Sequence, residues 1–204
     1  MSHPTPERGP LPEPFSVVQL LRRLADIPTQ ELEPVEGAAD DGDQRAEFFF
    51  HNWSEARDGL LSRTSKIRVQ PQASRAPRVF HFELDRPYKR KREDGGVELA
   101  PGPLHGLICY HPDPFASVPG QTSVAMLIDP GLGLFHPNFS RVFVGQLCLG
   151  HLHGTPALAP LLEHIWGILS YTNLTVSDPA DREASAFFSV PEARDGLPPA
   201  EPLY

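Results

Sequence analysis

The 204-residue chain carries a net charge of −8 and a hydrophobic fraction of 40%. That length fits one domain with extensions, and the acidic balance argues against nucleic-acid binding, which needs a basic face. With two cysteines, no apolar segment after a basic start and no apolar run long enough for a bilayer, the expected setting is cytoplasmic and reducing, without a structural disulfide or a membrane partner.

The 24 prolines are about twice average usage and gather toward both ends. They mark off an N-terminal extension (1–43), a compact part (44–190) and a proline-rich tail (191–204). Within the extension, "EPFSVVQLLRRLA" spaces Phe15, Val18, Leu21 and Leu24 as the stripe of a short amphipathic helix, suited to docking on the body or on a partner. An acidic, proline- and glycine-bearing linker follows. The spacing then predicts a longer helix over Gln44–Leu61, with Phe49, Phe50, Trp53, Ala56, Leu60 and Leu61 on one broad face.

Beyond that helix the period changes to two. "IRVQ", "RVFHFEL", "LHGLICY" and "TSVAMLI" read as four strands joined without crossover helices, which suits an antiparallel meander. Phe80, Phe82 and Leu84 alternate with Val79, His81 and Glu83, as expected of a sheet with one wet face. The basic cluster "RPYKRKRE" runs into "DGG" at Asp94–Gly96 and reads as a solvated hairpin tip rather than a localisation signal.

The strand pattern fails around "HPNFSRVFVGQLCLGH". Cys148 lies there between Gly145 and Gly150, whereas Cys109 sits inside "LICY" as a small hydrophobe would. The helical period then returns. Thr155 is the expected N-cap and Pro156 the first residue of a helix striped by Leu158, Leu161, Leu162, Ile165, Ile168 and Leu169. A second helix is expected in "SDPADREASAFF", capped by Asp178, opened by Pro179 and anchored by Phe187 and Phe188. Helix, four-stranded meander, cysteine loop and two helices make an α+β order.

This order and these motifs resemble the ubiquitin-conjugating enzymes over about residues 44–190, with the diagnostic part between Tyr110 and Phe188. His136, Pro137 and Asn138 fall on the family's His-Pro-Asn tripeptide and Cys148 on its thioester-forming cysteine. Asp178 lies where many members carry an acidic residue beside the site. The departures point to a divergent member, plausible in a prokaryotic ubiquitin-like conjugation system. Asn138 and Cys148 stand two residues further apart than is common, and Gly150 replaces an aspartate. Gly154-Thr155-Pro156 stands where a tryptophan is usual.

The resemblance implies a four-stranded meander packed against helices and an enzyme that accepts a ubiquitin-like C-terminus on Cys148. Its partners would be an adenylating activating enzyme, the modifier and an amine-bearing acceptor, with no cofactor and no metal; such systems are associated with antiphage defence in bacteria. Acyl transfer between thioesters needs an accessible thiol, stabilisation of oxyanion charge and orientation of an amine, but no strong base. Asn138 is placed either to donate to the oxyanion or to pin the turn. Asp178 either orients the amine or caps its helix. His136 and Pro137 shape the loop, and His151 and His153 bring proton acceptors near the thiol.

Three other readings compete with it. A zinc site drawn from His136, Cys148, His151 and His153 lacks ligand spacing, and a cysteine hydrolase lacks a signature motif. A non-catalytic binding module of the same fold is the remaining alternative.

Overall fold

The computed structural model describes residues 41–204 except 72–76, 112, 116–122, 141–144, 151, 153 and 175–178. The predicted stripe of Phe15, Val18, Leu21 and Leu24 therefore lies outside the described residues. The described part is mixed α+β. Helix α1 (Asp41–Glu55) runs on through a π turn (Ala56–Leu60) and a 3-10 turn (Leu61–Arg63). Strands β1 (Ile67–Pro71), β2 (Val79–Leu84), β3 (Tyr88–Lys91), β4 (Val97–Ala100), β5 (Leu104–Tyr110), β6 (Val124–Ile128) and β7 (Gln146–Leu147) follow, and then helices α2 (Leu158–Leu169) and α3 (Arg182–Phe187).

The four strands predicted as a meander are β1, β2, β5 and β6, adjacent and antiparallel in that order, and β7 adds a short fifth strand. Between β2 and β5 the chain makes a separate hairpin, β3–β4. The basic cluster lies mainly there, and its charges are answered: Arg90 pairs with Glu98, Lys91 with Glu183 and Arg92 with Asp94, while Lys89 donates to the Asp195 carbonyl. A hairpin neutralised in this way presents little free positive field.

Phe80, Phe82, Leu84, Ile108, Tyr110, Met126 and Ile128 point from one sheet face into the main core, where they meet α1, through Phe49 and Ala56, and the stripe of α2. The other face is not wet, contrary to the alternation argument: Val79, Glu83, Leu107 and Leu127 are all buried there too. Glu83 is tolerable at that depth because Arg68 pairs with it across the strands.

The helix ends also differ from expectation. Phe50 is 57% exposed, so the buried face of α1 is narrower than predicted and runs through Phe49, Asn52 and Ala56. Helix α2 begins at Leu158 with Ala157 at the N-cap, and Thr155 instead donates to the Pro114 carbonyl. The cap comes from α1, where Asn52 Oδ1 accepts from the Leu158 amide at 2.5 Å. Helix α3 begins at Arg182, with Asp181 as its N-cap accepting from the Ala184 amide. Pro179 therefore does not open it.

The C-terminal residues lie along the body. Trp166 Nε1 donates to the Glu201 carbonyl, Arg86 to that of Pro198 and Thr64 to that of Leu203, whose side chain is buried in the main core. Arg86 and Lys66 both stack over the Trp166 ring.

Candidate active site

The site is built on a narrow hairpin. Asn138, Phe139 and Ser140 run antiparallel to Gln146, Leu147 and Cys148, with Phe139 bridged to Leu147 and the Ser140 amide on the Gln146 carbonyl at 2.8 Å. Asn138 and Cys148, ten apart in sequence, therefore face each other. The Cys148 amide donates to the Asn138 carbonyl at 2.6 Å, and Asn138 Nδ2 donates to the Cys148 carbonyl at 3.0 Å. Both polar groups of the cysteine's backbone are thus held by one residue. Of the two roles expected for Asn138, the geometry displays the pinning one.

The thiol's direction follows from its neighbours. Leu147 and Leu149 are both buried in the main core, and Cys148 between them is only half-buried. In an extended segment successive side chains point to opposite sides, so anchoring both leucines inward turns the thiol outward. Gly150 follows at φ 75°, a backbone that glycine adopts readily, and turns the chain away. Cys109, on β5, is as a residue half-buried like Cys148, but its thiol is pushed up to about 12, chiefly by desolvation and only partly offset by the nearby Arg78 guanidinium. Such a thiol stays protonated at neutral pH and is a poor nucleophile.

His136 is fully buried and supports the turn from within. Nδ1 accepts from the Asn138 amide at 3.0 Å, and Nε2 donates to the Ile168 carbonyl at the end of α2 at 2.9 Å. This assigns the Nε2–H tautomer, since a carbonyl can only accept. Burial lowers its pKa to about 4, against the opposing pull of the Ile168 carbonyl. With both nitrogens engaged and no charge at neutral pH, His136 offers no lone pair to a metal or a substrate proton. Pro137 completes the turn; its carbonyl accepts from the Asp181 amide at 3.0 Å, tying the tripeptide to the start of α3.

Two further residues brace this arrangement. Tyr171 sits at φ 59°, a conformation that bulky side chains rarely adopt, and is nonetheless almost fully buried. Its ring lies 4.6 Å from that of His136, and its hydroxyl accepts from the Lys89 amide and donates to the Phe135 carbonyl. His164, on α2, donates from Nε2 to the Leu149 carbonyl at 2.8 Å. Sequence reasoning passed over both. The available signal for His164 was a polar ring three residues after Leu161 and four before Ile168, on a helix whose other polar side chain, Glu163, is exposed.

Of the residues singled out from sequence, the structure brings Cys148, Asn138, His136 and Pro137 together. Asp178, His151 and His153 lie outside the described residues. Among the described residues, no helix is long and apolar enough to cross a membrane. Compared with models of protein families and with curated proteins, the sequence finds no match.

Proposed function

We propose that the chain is a ubiquitin-conjugating-type acyltransferase that carries a ubiquitin-like modifier on Cys148. The observation that supports this most directly is the two-way clamp between Asn138 and Cys148, together with the outward thiol it holds between two buried leucines. The element order agrees: a helix, an antiparallel meander, a His-Pro-Asn turn, the cysteine and two helices. The unusual spacing is compatible as well. A spacing longer by two, an even number, keeps the same faces of the two strands toward each other, because side chains alternate with a period of two.

In this reading the Cys148 thiolate attacks the modifier's C-terminal carbonyl, presented as a thioester on an activating enzyme. The new C–S bond forms as the donor's thiolate leaves and takes a proton. In the second half an amine nitrogen attacks the same carbonyl, a C–N bond forms, the C–S bond breaks, and Cys148 leaves as thiolate while the nitrogen gives up one proton to the departing sulfur or to water. Both halves pass through a tetrahedral oxyanion. Asn138 contributes by fixing the peptide that carries the sulfur, so that the attacking atom starts within reach of its target. Asp178 enters from the family resemblance as the carboxylate that orients the amine, and His151 as part of the loop beside the thiol. The setting proposed is the cytoplasm, in a bacterial conjugation system of the kind associated with antiphage defence.

The test is a charging reaction with an activating enzyme, its modifier and ATP, resolved without reductant. Wild type and Cys109→Ala are expected to form a thiol-sensitive adduct and Cys148→Ala none. An adduct that survives in Cys148→Ala and vanishes in Cys109→Ala overturns the site. A complete lack of adduct with a bound modifier would favour a non-catalytic module of the same fold.

A further inference from the structure

We propose that His164 is a positioning residue for Cys148, acting through the carbonyl of Leu149; the inference rests on the acyl-carrier reading above. Asn138 fixes both backbone groups of Cys148, but its hold ends there. The next peptide, between Leu149 and Gly150, is followed by a glycine at φ 75°, and glycine occupies positive and negative φ with similar ease. A flip of that peptide therefore meets little local resistance. Among the described residues the bond that opposes it comes from α2, where His164 Nε2 reaches the Leu149 carbonyl at 2.8 Å.

Helix α2 is well suited to anchor this bond. Its stripe, Leu158, Leu161, Leu162, Ile165, Ile168 and Leu169, is buried in the main core, so the His164 ring hangs from a rigid support. The same helix supplies the Ile168 carbonyl to His136. One helix therefore fixes both sides of the thiol: upstream through His136 and Asn138, downstream through His164 and Leu149. Because the carbonyl requires a proton on Nε2, the bond persists whether or not Nδ1 is protonated. A general base would instead lose its function on protonation, so positioning and proton transfer make different predictions.

The experiment uses the full-length chain and two probes. Iodoacetamide reports how exposed and mobile the Cys148 thiol is, with the labelling of Cys109, whose thiol is held protonated on β5, compared with wild type to report any general unfolding. A Gly-Gly peptide thioester of mercaptoethanesulfonate reports oriented transfer to Cys148, in which the small thiolate leaves. His164→Leu is expected to alkylate several-fold faster at Cys148, leave the labelling of Cys109 as in wild type, and accept the peptide about tenfold more slowly. His164→Gln, whose amide can still donate to the Leu149 carbonyl, is expected to restore both rates at every pH. Loss of both rates in His164→Leu, or failure of glutamine to restore transfer, would overturn positioning in favour of a base. Faster labelling of Cys109 in His164→Leu than in wild type would overturn it in favour of a general structural role. If the wild type does not accept the peptide thioester at all, the acyl-carrier reading fails. The alkylation rates of the two variants then still decide whether His164 holds the loop.

Discussion

Burying His136 without a charge ties the stability of the His-Pro-Asn turn to pH. An imidazole with an ordinary value near 6.5 in the unfolded chain and about 4 in the folded one binds a proton more readily when unfolded. Its contribution is therefore fully present above the unfolded value and is lost as pH falls from about 6.5 toward 4. The separation amounts to about 3 kcal/mol below both values, and to about 2 kcal/mol at pH 5, where the unfolded imidazole is mostly charged and the folded one is not. His81 is also depressed by burial and acts in the same direction, so the contribution of His136 must be isolated by comparison. His136→Gln removes the titration while keeping an amide that can approach either partner. Urea unfolding of both proteins at pH 7.5 and pH 5 should show the wild type losing about 2 kcal/mol more than the variant. Parallel losses in the two proteins would refute the reasoning and place the pH dependence elsewhere.

Two further expectations concern residues at the edges of the site and of the fold. Leu203→Ala should destabilise the chain by about 2–5 kcal/mol in urea unfolding, since it empties a buried core position; a change below about 0.5 kcal/mol would mean the tail is dispensable. On the proposed reading, Asp178→Asn should slow discharge to free lysine by about tenfold while leaving charging unchanged, because the role the family resemblance gives Asp178 is to act on the amine and not on the donor thioester. Equal discharge in both proteins would remove Asp178 from the mechanism.

Much of this architecture is legible from period alone. The four sheet strands of the meander lie within a residue or two of their predicted bounds, because β-branched and aromatic residues at period two leave few alternatives. The capping residues are less legible. Thr155 and Asp178 have the right chemistry for an N-cap, but Asn52 and Asp181 take those roles through contacts that local spacing does not encode or does not rank. Phe50 misleads for a related reason: it satisfies the helical stripe but sits at its margin, where the sheet no longer reaches. In the site, the outward thiol of Cys148 could be argued from its bracketing glycines. The clamp by Asn138 and the anchor from His164 depend on tertiary register, and only the fold displays them.

The hydrogen bond from the Leu158 amide to Asn52 bears on the order in which the molecule assembles. It joins residues 106 positions apart, so the first turn of α2 is completed by a helix that precedes the whole sheet. A peptide covering α2 alone would lack the acceptor for that amide and should fray at its N-terminal end in isolation. Closing so long a loop early is entropically unfavourable, which places the docking of α2 after the meander has drawn the two segments together. The helix that holds the thiol's two anchors would then be among the last parts to settle, and Cys148 would come into register only once the rest of the chain is folded.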